Sequence, residues 1–164
     1  MLSGEVIQLR PARPDEAARL GEVALLAKGY WGYPADFLEA CRAVLTYPPD
    51  EITARRIVVA AAAEIVGFYS VDGEPPHGEL GNLWVIPEQI GTGLGSRLWR
   101  HALDSARQAG FTELTIEADP HAEGFYLAMG AERIGERPSD AVPGRTLPLL
   151  RRKLDQRPTK AATA

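Results

Sequence analysis

Residues 83–96 read Leu-Trp-Val-Ile-Pro-Glu-Gln-Ile-Gly-Thr-Gly-Leu-Gly-Ser, and how this stretch is read decides the fold. An apolar run leaves as a strand, Pro87 turns the chain, and Gly91, Gly93 and Gly95 fall where a helix begins. Glycines there let the backbone approach a ligand closely and take up positive φ. The unpaired N–H groups of the helix's first turn then face whatever sits there, and the helix dipole favours an anion. A pyrophosphate meets that description; so, on the bare pattern, does a simple tight turn. Two better-known glycine loops are disfavoured. A P-loop needs a lysine followed by Ser or Thr after its last glycine, and none is present. A dinucleotide fingerprint needs a third glycine three residues after the second, where Ser96 stands.

Working outward, Leu94, Leu98, Ala102, Leu103, Ala106 and Ala109 recur at helical spacing after the loop, and Gly110 ends the run. Leu114 to Ala118 reads as a buried strand, Ala122 to Met129 as a short helix, and Ala131–Arg137 and Arg145–Leu154 as closing strands, the last interrupted by Pro148. Upstream, a strand runs from Glu79 to Ile86, preceded by a hairpin of Ile57–Ala63 and Ile65–Val71 turning at Ala63–Glu64. Before it, Pro14 opens one helix, ended by Gly29, and Pro34 another, with Phe37, Leu38, Cys41, Val44 and Leu45 on its inner face. Val6, Ile7 and Leu9 mark a first strand. The order is β-α-α-β-β-β-α-β-α-β-β, an α/β (α+β) domain built on one mixed sheet. It spans residues 1–154, and residues 155–164 carry no apolar pattern and read as a disordered tail.

Composition narrows the class. The 164 residues suit one domain, and 45% hydrophobic with 24% charged residues is ordinary for a globular chain. A net charge of −4 supplies no basic stripe for nucleic acid. The lone Cys41 permits no internal disulfide. No signal peptide or membrane-length apolar run is visible, so a cytoplasmic protein is expected, without nucleic-acid or membrane partners. His77, His101 and His121 lack metal-ligand spacing, and no metal is expected.

A second segment follows the next strand: Asp119-Pro-His-Ala-Glu-Gly-Phe-Tyr-Leu-Ala-Met-Gly130. With the glycine loop it resembles the two main motifs of the GNAT (GCN5-related) N-acetyltransferase superfamily. These are Val-x-Pro-x-x-(Arg or Gln)-x-x-Gly-x-Gly-(small) and Asn-x-x-Ala-x-x-Phe-Tyr-x-x-x-Gly-Phe. The element order matches as well. The resemblance implies the GNAT acyl-CoA N-acyltransferase fold, a single mostly antiparallel sheet flanked by helices. It implies acetyl-CoA as cosubstrate and transfer to an amine of a small molecule or peptide by direct attack within a ternary complex.

Carried over residue by residue, the backbone of Leu83, Trp84 and Val85 would pair with the pantetheine arm. Ile90, Gly91, Thr92, Gly93, Leu94, Gly95 and Ser96 would wrap the pyrophosphate, and Asp119 would face the pantetheine or acetyl end. Tyr126 would protonate the departing thiolate, and the Val85 N–H would donate to the oxyanion. Glu79 is the candidate base; alternation places it on the face of Gly81, Leu83 and Val85, and it reads equally as a solvated residue at a strand start. Three positions depart from the motifs: Ile90 for Arg or Gln, Asp119 for Asn, and Ala131 for an aromatic. The loop Lys28-Gly-Tyr-Trp-Gly-Tyr-Pro34 puts Trp31 and Tyr33 either at an acceptor site or plugged onto the core. Homodimers are common in the family, so the resemblance allows one. A non-catalytic acyl-CoA sensor on the same fold is the alternative, separable by turnover.

Overall fold

The computed structural model describes residues 6–154, so the expected tail lies outside the described residues. Seven strands form one sheet: β1 (Gln8–Pro11), β2 (Val58–Ala61), β3 (Ile65–Asp72), β4 (His77–Val85), β5 (Glu113–Glu117), β6 (Glu132–Pro138) and β7 (Thr146–Lys153). They lie in the order β1-β2-β3-β4-β5-β7-β6. Every neighbouring pair is antiparallel except β4 with β5. The helices are α1 (Ala17–Gly29), α2 (Ala35–Arg42), α3 (Leu94–Ala109) and α4 (Glu123–Ala128). None of the described helices is long and apolar enough to cross a membrane.

α3 packs on β3 and β4 from one side: Leu98, Trp99 and Ala102 are buried, and the Tyr69 hydroxyl meets His101 Nδ1 at 2.7 Å. α1 covers the same strands from the other side with Leu20, Val23 and Ala24 at zero exposure. The core therefore lies in two layers, one on each face of the central strands.

Three local expectations need correction. α2 stops at Arg42, whose carbonyl accepts from Thr46 Oγ1, so Val44 falls beyond the helix and is exposed while Cys41 and Leu45 are buried. Pro14 opens a 3-10 turn (Pro14–Glu16), and the α-helix starts only at Ala17. Pro148 does not interrupt β7. The ladder to β5 ends at Glu117↔Leu149, so the missing N–H of Pro148 costs that pairing nothing, and its carbonyl accepts from Ala118 N.

Two irregularities in the centre shape the site. The parallel ladder of β4 to β5 lasts only three residues, His77↔Glu113 to Glu79↔Thr115, after which the strands diverge and leave a splay from Leu80 onward. The second is a bulge in β4. Val71 pairs with Leu80 but Ser70 with Asn82, so Gly81 is an extra residue. A Cβ on Gly81 would lie 1.9 Å from Asp72 Oδ2, a carboxylate held by Arg55 through two hydrogen bonds of 2.9 Å each. Only glycine leaves room for that carboxylate where it stands.

Candidate active site

The bulge decides which way each β4 residue faces. Cross-strand partners share a face. Glu79 is opposite Asp72, Asn82 opposite Ser70, and Trp84 opposite Phe68, three alternate residues of β3. Glu79 thus joins Asn82 and Trp84 on the α1 face, not Leu83 and Val85 as regular alternation predicted. The inserted Gly81 shifts the period by one. A hydrogen-bond chain confirms the shared face: Trp84 Nε1 donates to Asn82 Oδ1 (2.8 Å), Asn82 Nδ2 to Ser70 Oγ (2.9 Å), and the Tyr47 hydroxyl to Asn82 Oδ1 (2.6 Å).

Backbone groups divide in the same way. Ile86 N donates to Val66 O around the Gly67↔Val85 pair, which marks that pair as the non-bonded kind of an antiparallel ladder. The N–H and C=O of Val85, and by the same period those of Leu83, point away from β3 into the splay. Trp84 sits at the alternate position, its backbone committed to Phe68, so of the three residues expected to pair with an extended ligand only Leu83 and Val85 offer free groups.

A cleft of about 410 Å³ occupies the splay, bounded by β4, the glycine loop, the end of β5 and α4. Gly91 and Gly93 have φ of 83° and 90°, the left-handed region, and a Cβ on either would meet nothing within 4 Å. Gly93 is the N-cap of α3 and brings no side chain to satisfy the first turn. The N–H groups of Ile90 and Thr92 are spent on the Pro87 and Gln89 carbonyls, so the cradle consists of those of Gly91, Gly93 and the first turn of α3, which fits a pyrophosphate. Not every loop residue contributes a side chain. Thr92 Oγ1 turns back to the Gln89 carbonyl (2.7 Å), Leu94 is buried in the core, and Ile90 is partly exposed at the cleft wall.

Tyr126 lines this cleft from α4, packed against Trp99 and Phe125. Its hydroxyl makes no hydrogen bond among the described residues. Burial, then the charge of Asp119, pushes its pKa up, so the phenol holds its proton.

On the α1 side of the same strands lies a second cavity of about 280 Å³. Leu80, Gly81, Asn82, Trp84, Glu117 and Asp119 border both spaces, so the two meet at the splay. Glu79 and Glu117 line the second cavity, and neither has a hydrogen-bond or ion-pair partner among the described residues. Burial, then the charges of Glu117 and Asp72, raises the Glu79 pKa, as a base acting near neutral pH requires.

Asp119 does not face the glycine-loop cleft as an isolated group. Its side chain is 6% exposed and holds Lys28 Nζ at 2.5 Å, the Tyr33 hydroxyl at 3.0 and 3.1 Å, and the backbone N–H of His121 at 2.8 Å. Burial alone would raise its pKa; the Lys28 hydrogen bond and charge, with the N–H of His121, outweigh it and hold the carboxyl below its ordinary value. The Tyr33 phenol is pushed up to about 12, first by burial and then by the Asp119 charge. Arg145, from the turn between β6 and β7, donates to the Tyr33 oxygen at 2.8 Å. Tyr33 thus backs a polar cluster instead of lining a pocket. Trp31 lies on the glycine-loop cleft, stacked on His121 with ring centroids 5.0 Å apart. Lys28, Glu117 and Arg145 escaped the sequence reading because they come from three distant segments with no motif; an acidic residue two positions before Asp119 was the one available hint. A larger apolar groove of about 980 Å³ between α1 and α2 holds none of these catalytic candidates.

A splayed parallel pair thus lies beside a glycine-capped helix, with an uncommitted phenol across the gap. The profile of the acetyltransferase (GNAT) family matches residues 26–131, and the chain belongs to that family. Among solved structures it is similar to a GCN5-related N-acetyltransferase from Rhodopseudomonas palustris (21% identity, TM-score 0.75, covering 91% of this chain and 96% of that one). It is also similar to the PaiA N-acetyltransferase of Thermoplasma acidophilum in complex with coenzyme A (18%, TM-score 0.70, 90% and 99%). A third is YncA of Salmonella typhimurium with acetyl-CoA (18%, TM-score 0.64, 94% and 97%). At these identities the likeness is one of fold. No curated protein sequence matches the chain.

Proposed function

We propose that this acetyltransferase moves an acetyl group from acetyl-CoA directly to an amine in a ternary complex. The observation that carries the reading is the pair of cavities meeting at the splay: a cleft bounded by the glycine loop on one side of β4 and a cavity holding the unpartnered Glu79 and Glu117 on the other. Acetyl-CoA supplies an acetyl group activated as a thioester. The glycine-loop N–H groups hold its pyrophosphate, and the Leu83 and Val85 backbone groups hold its arm. Glu79, with its raised pKa, takes the proton that an ammonium must lose before its nitrogen can attack. The Val85 N–H, fixed in the splay, can donate to the carbonyl oxygen where negative charge develops. One C–N bond forms and one C–S bond breaks; the Tyr126 proton goes to the sulfur, and the second proton that the nitrogen sheds on becoming an amide restores the phenol.

Calorimetric titration tests the first half. Wild type binds acetyl-CoA saturably, and Gly93→Glu, which forces a side chain onto left-handed backbone at the cradle, does not. Initial rates of thiol release over a grid of acetyl-CoA and amine concentrations test the second: intersecting lines are expected. Parallel lines would mean an acetylated enzyme intermediate and overturn direct attack. Binding without thiol release for any amine would favour a sensor.

A further inference from the structure

The acid-lined cavity is not uniformly acidic. Three cations border it, and two are already neutralised: Lys28 by Asp119 at 2.5 Å, and Arg55 by the two bonds of 2.9 Å to Asp72. Arg145 is different. It spends Nη2 on the neutral Tyr33 oxygen, and its nearest carboxylate oxygen, on Asp119, is 3.8 Å away and claimed by Lys28. Its other nitrogens make no hydrogen bond among the described residues. The guanidinium lies over the Phe37 and Tyr33 rings, with centroids 4.7 and 5.2 Å away. Stacking of this kind fixes the fork and leaves its N–H edges for an acceptor in its plane. Opposite in charge, Glu79 and Glu117 stand unpartnered on β4 and β5 in the same cavity. Asp140, at the mouth, is exposed and so screened by solvent.

An ammonium is drawn to the two glutamates, and a planar anion to the free fork of Arg145. We propose that the acceptor is an amine that carries a carboxylate of its own, and that Arg145 binds that carboxylate. A diamine would set its second cation against Arg145, and a simple monoamine would leave the fork unused. The inference rests on the amine-acetylation reading and names the substrate class within it.

The test is thiol release from acetyl-CoA over amino acids of increasing amine-to-carboxylate spacing, each paired with its carboxamide and its decarboxylated amine, with diamines alongside. At the best spacing the acid exceeds its carboxamide in kcat/KM by at least about tenfold, through KM, as loss of a charge-assisted pair predicts. Arg145→Gln brings that ratio close to one, and Arg145→Lys, which keeps charge without the fork, leaves it intermediate. Coenzyme A affinity by calorimetry shows that each variant is folded. Diamines or plain amines reacting as well as the acids would overturn the proposal and leave amine acetylation standing; so would a ratio that survives Arg145→Gln. Absence of thiol release with every amine would remove both readings.

Discussion

The two cavities at the splay are built from different materials. The glycine-loop cleft offers a ligand backbone groups, from left-handed glycines, the uncapped start of α3 and the edge of Leu83 and Val85, beside an apolar wall and the Tyr126 phenol. The second cavity adds charge to its lining: Glu79, Glu117, Asp119, Lys28 and Arg145, drawn from β4, β5 and the residues just after it, α1 and the turn before β7. Backbone can hold a ligand common to every reaction of a family without dictating the sequence elsewhere. Side-chain charge selects the variable partner, and each residue of it can be exchanged.

The sharpest break of that comparison pairs one residue from each cavity. Glu79→Gln and Tyr126→Phe are each expected to lower kcat by about 10³-fold while leaving the acetyl-CoA Kd unchanged, since general acid or base groups act on the transition state. They should differ in pH dependence. A base must be deprotonated, and the Glu79 pKa is raised, so wild-type kcat/KM falls with decreasing pH at a higher pH than an ordinary carboxylate gives. Glu79→Gln loses that acid limb, and Tyr126→Phe keeps it. Rates from pH 5 to 9 decide, and an unchanged limb in Glu79→Gln would remove Glu79 from the role.

Asp119→Ala probes the charged side through stability. It leaves Lys28 buried without its partner, at a cost of about 3 kcal/mol in urea unfolding. Because the folded Asp119 pKa is lowered, the difference from wild type is full above its unfolded value near 4 and shrinks as pH falls below it. A cost under about 0.5 kcal/mol would show the cluster to be solvated, like a surface pair.

The smallest effect falls on the rim. Trp31→Ala removes the stack on His121 beside the cofactor cleft and should weaken acetyl-CoA binding about fivefold, with the acceptor KM unmoved. A change in acceptor KM instead would restore Trp31 to the acceptor side.

Legibility in the sequence followed the same division. The order of elements and the glycine cradle could be read because strand and helix periods, Gly93 at a helix start and the Phe125–Tyr126 pair are local signals. The acceptor side could not. Lys28 reads as an ordinary residue late in a helix, and Arg145 as one before a strand; only the fold brings both to Asp119. Asp119 itself read as a departure from a motif that usually has Asn. The structure shows the reason for the carboxylate, since a buried lysine needs an anion. Glu79 was singled out for its carboxylate but set on the wrong face, because the bulge at Gly81 has no counterpart in a period-two pattern.

That extra residue also bears on how such a site diverges. Substitution anywhere in β4 changes what a position displays, never the direction in which it displays it. Loss of the single codon for Gly81 would change neither for the residues that remain. With Gly81 gone, Glu79 would stand two residues before Asn82, and alternation alone would keep both on the α1 face, so the strand would become regular without turning either residue. The phase of that wall is thus set by the pairing with β3, and a one-residue deletion would absorb the bulge and leave an acidic wall acidic.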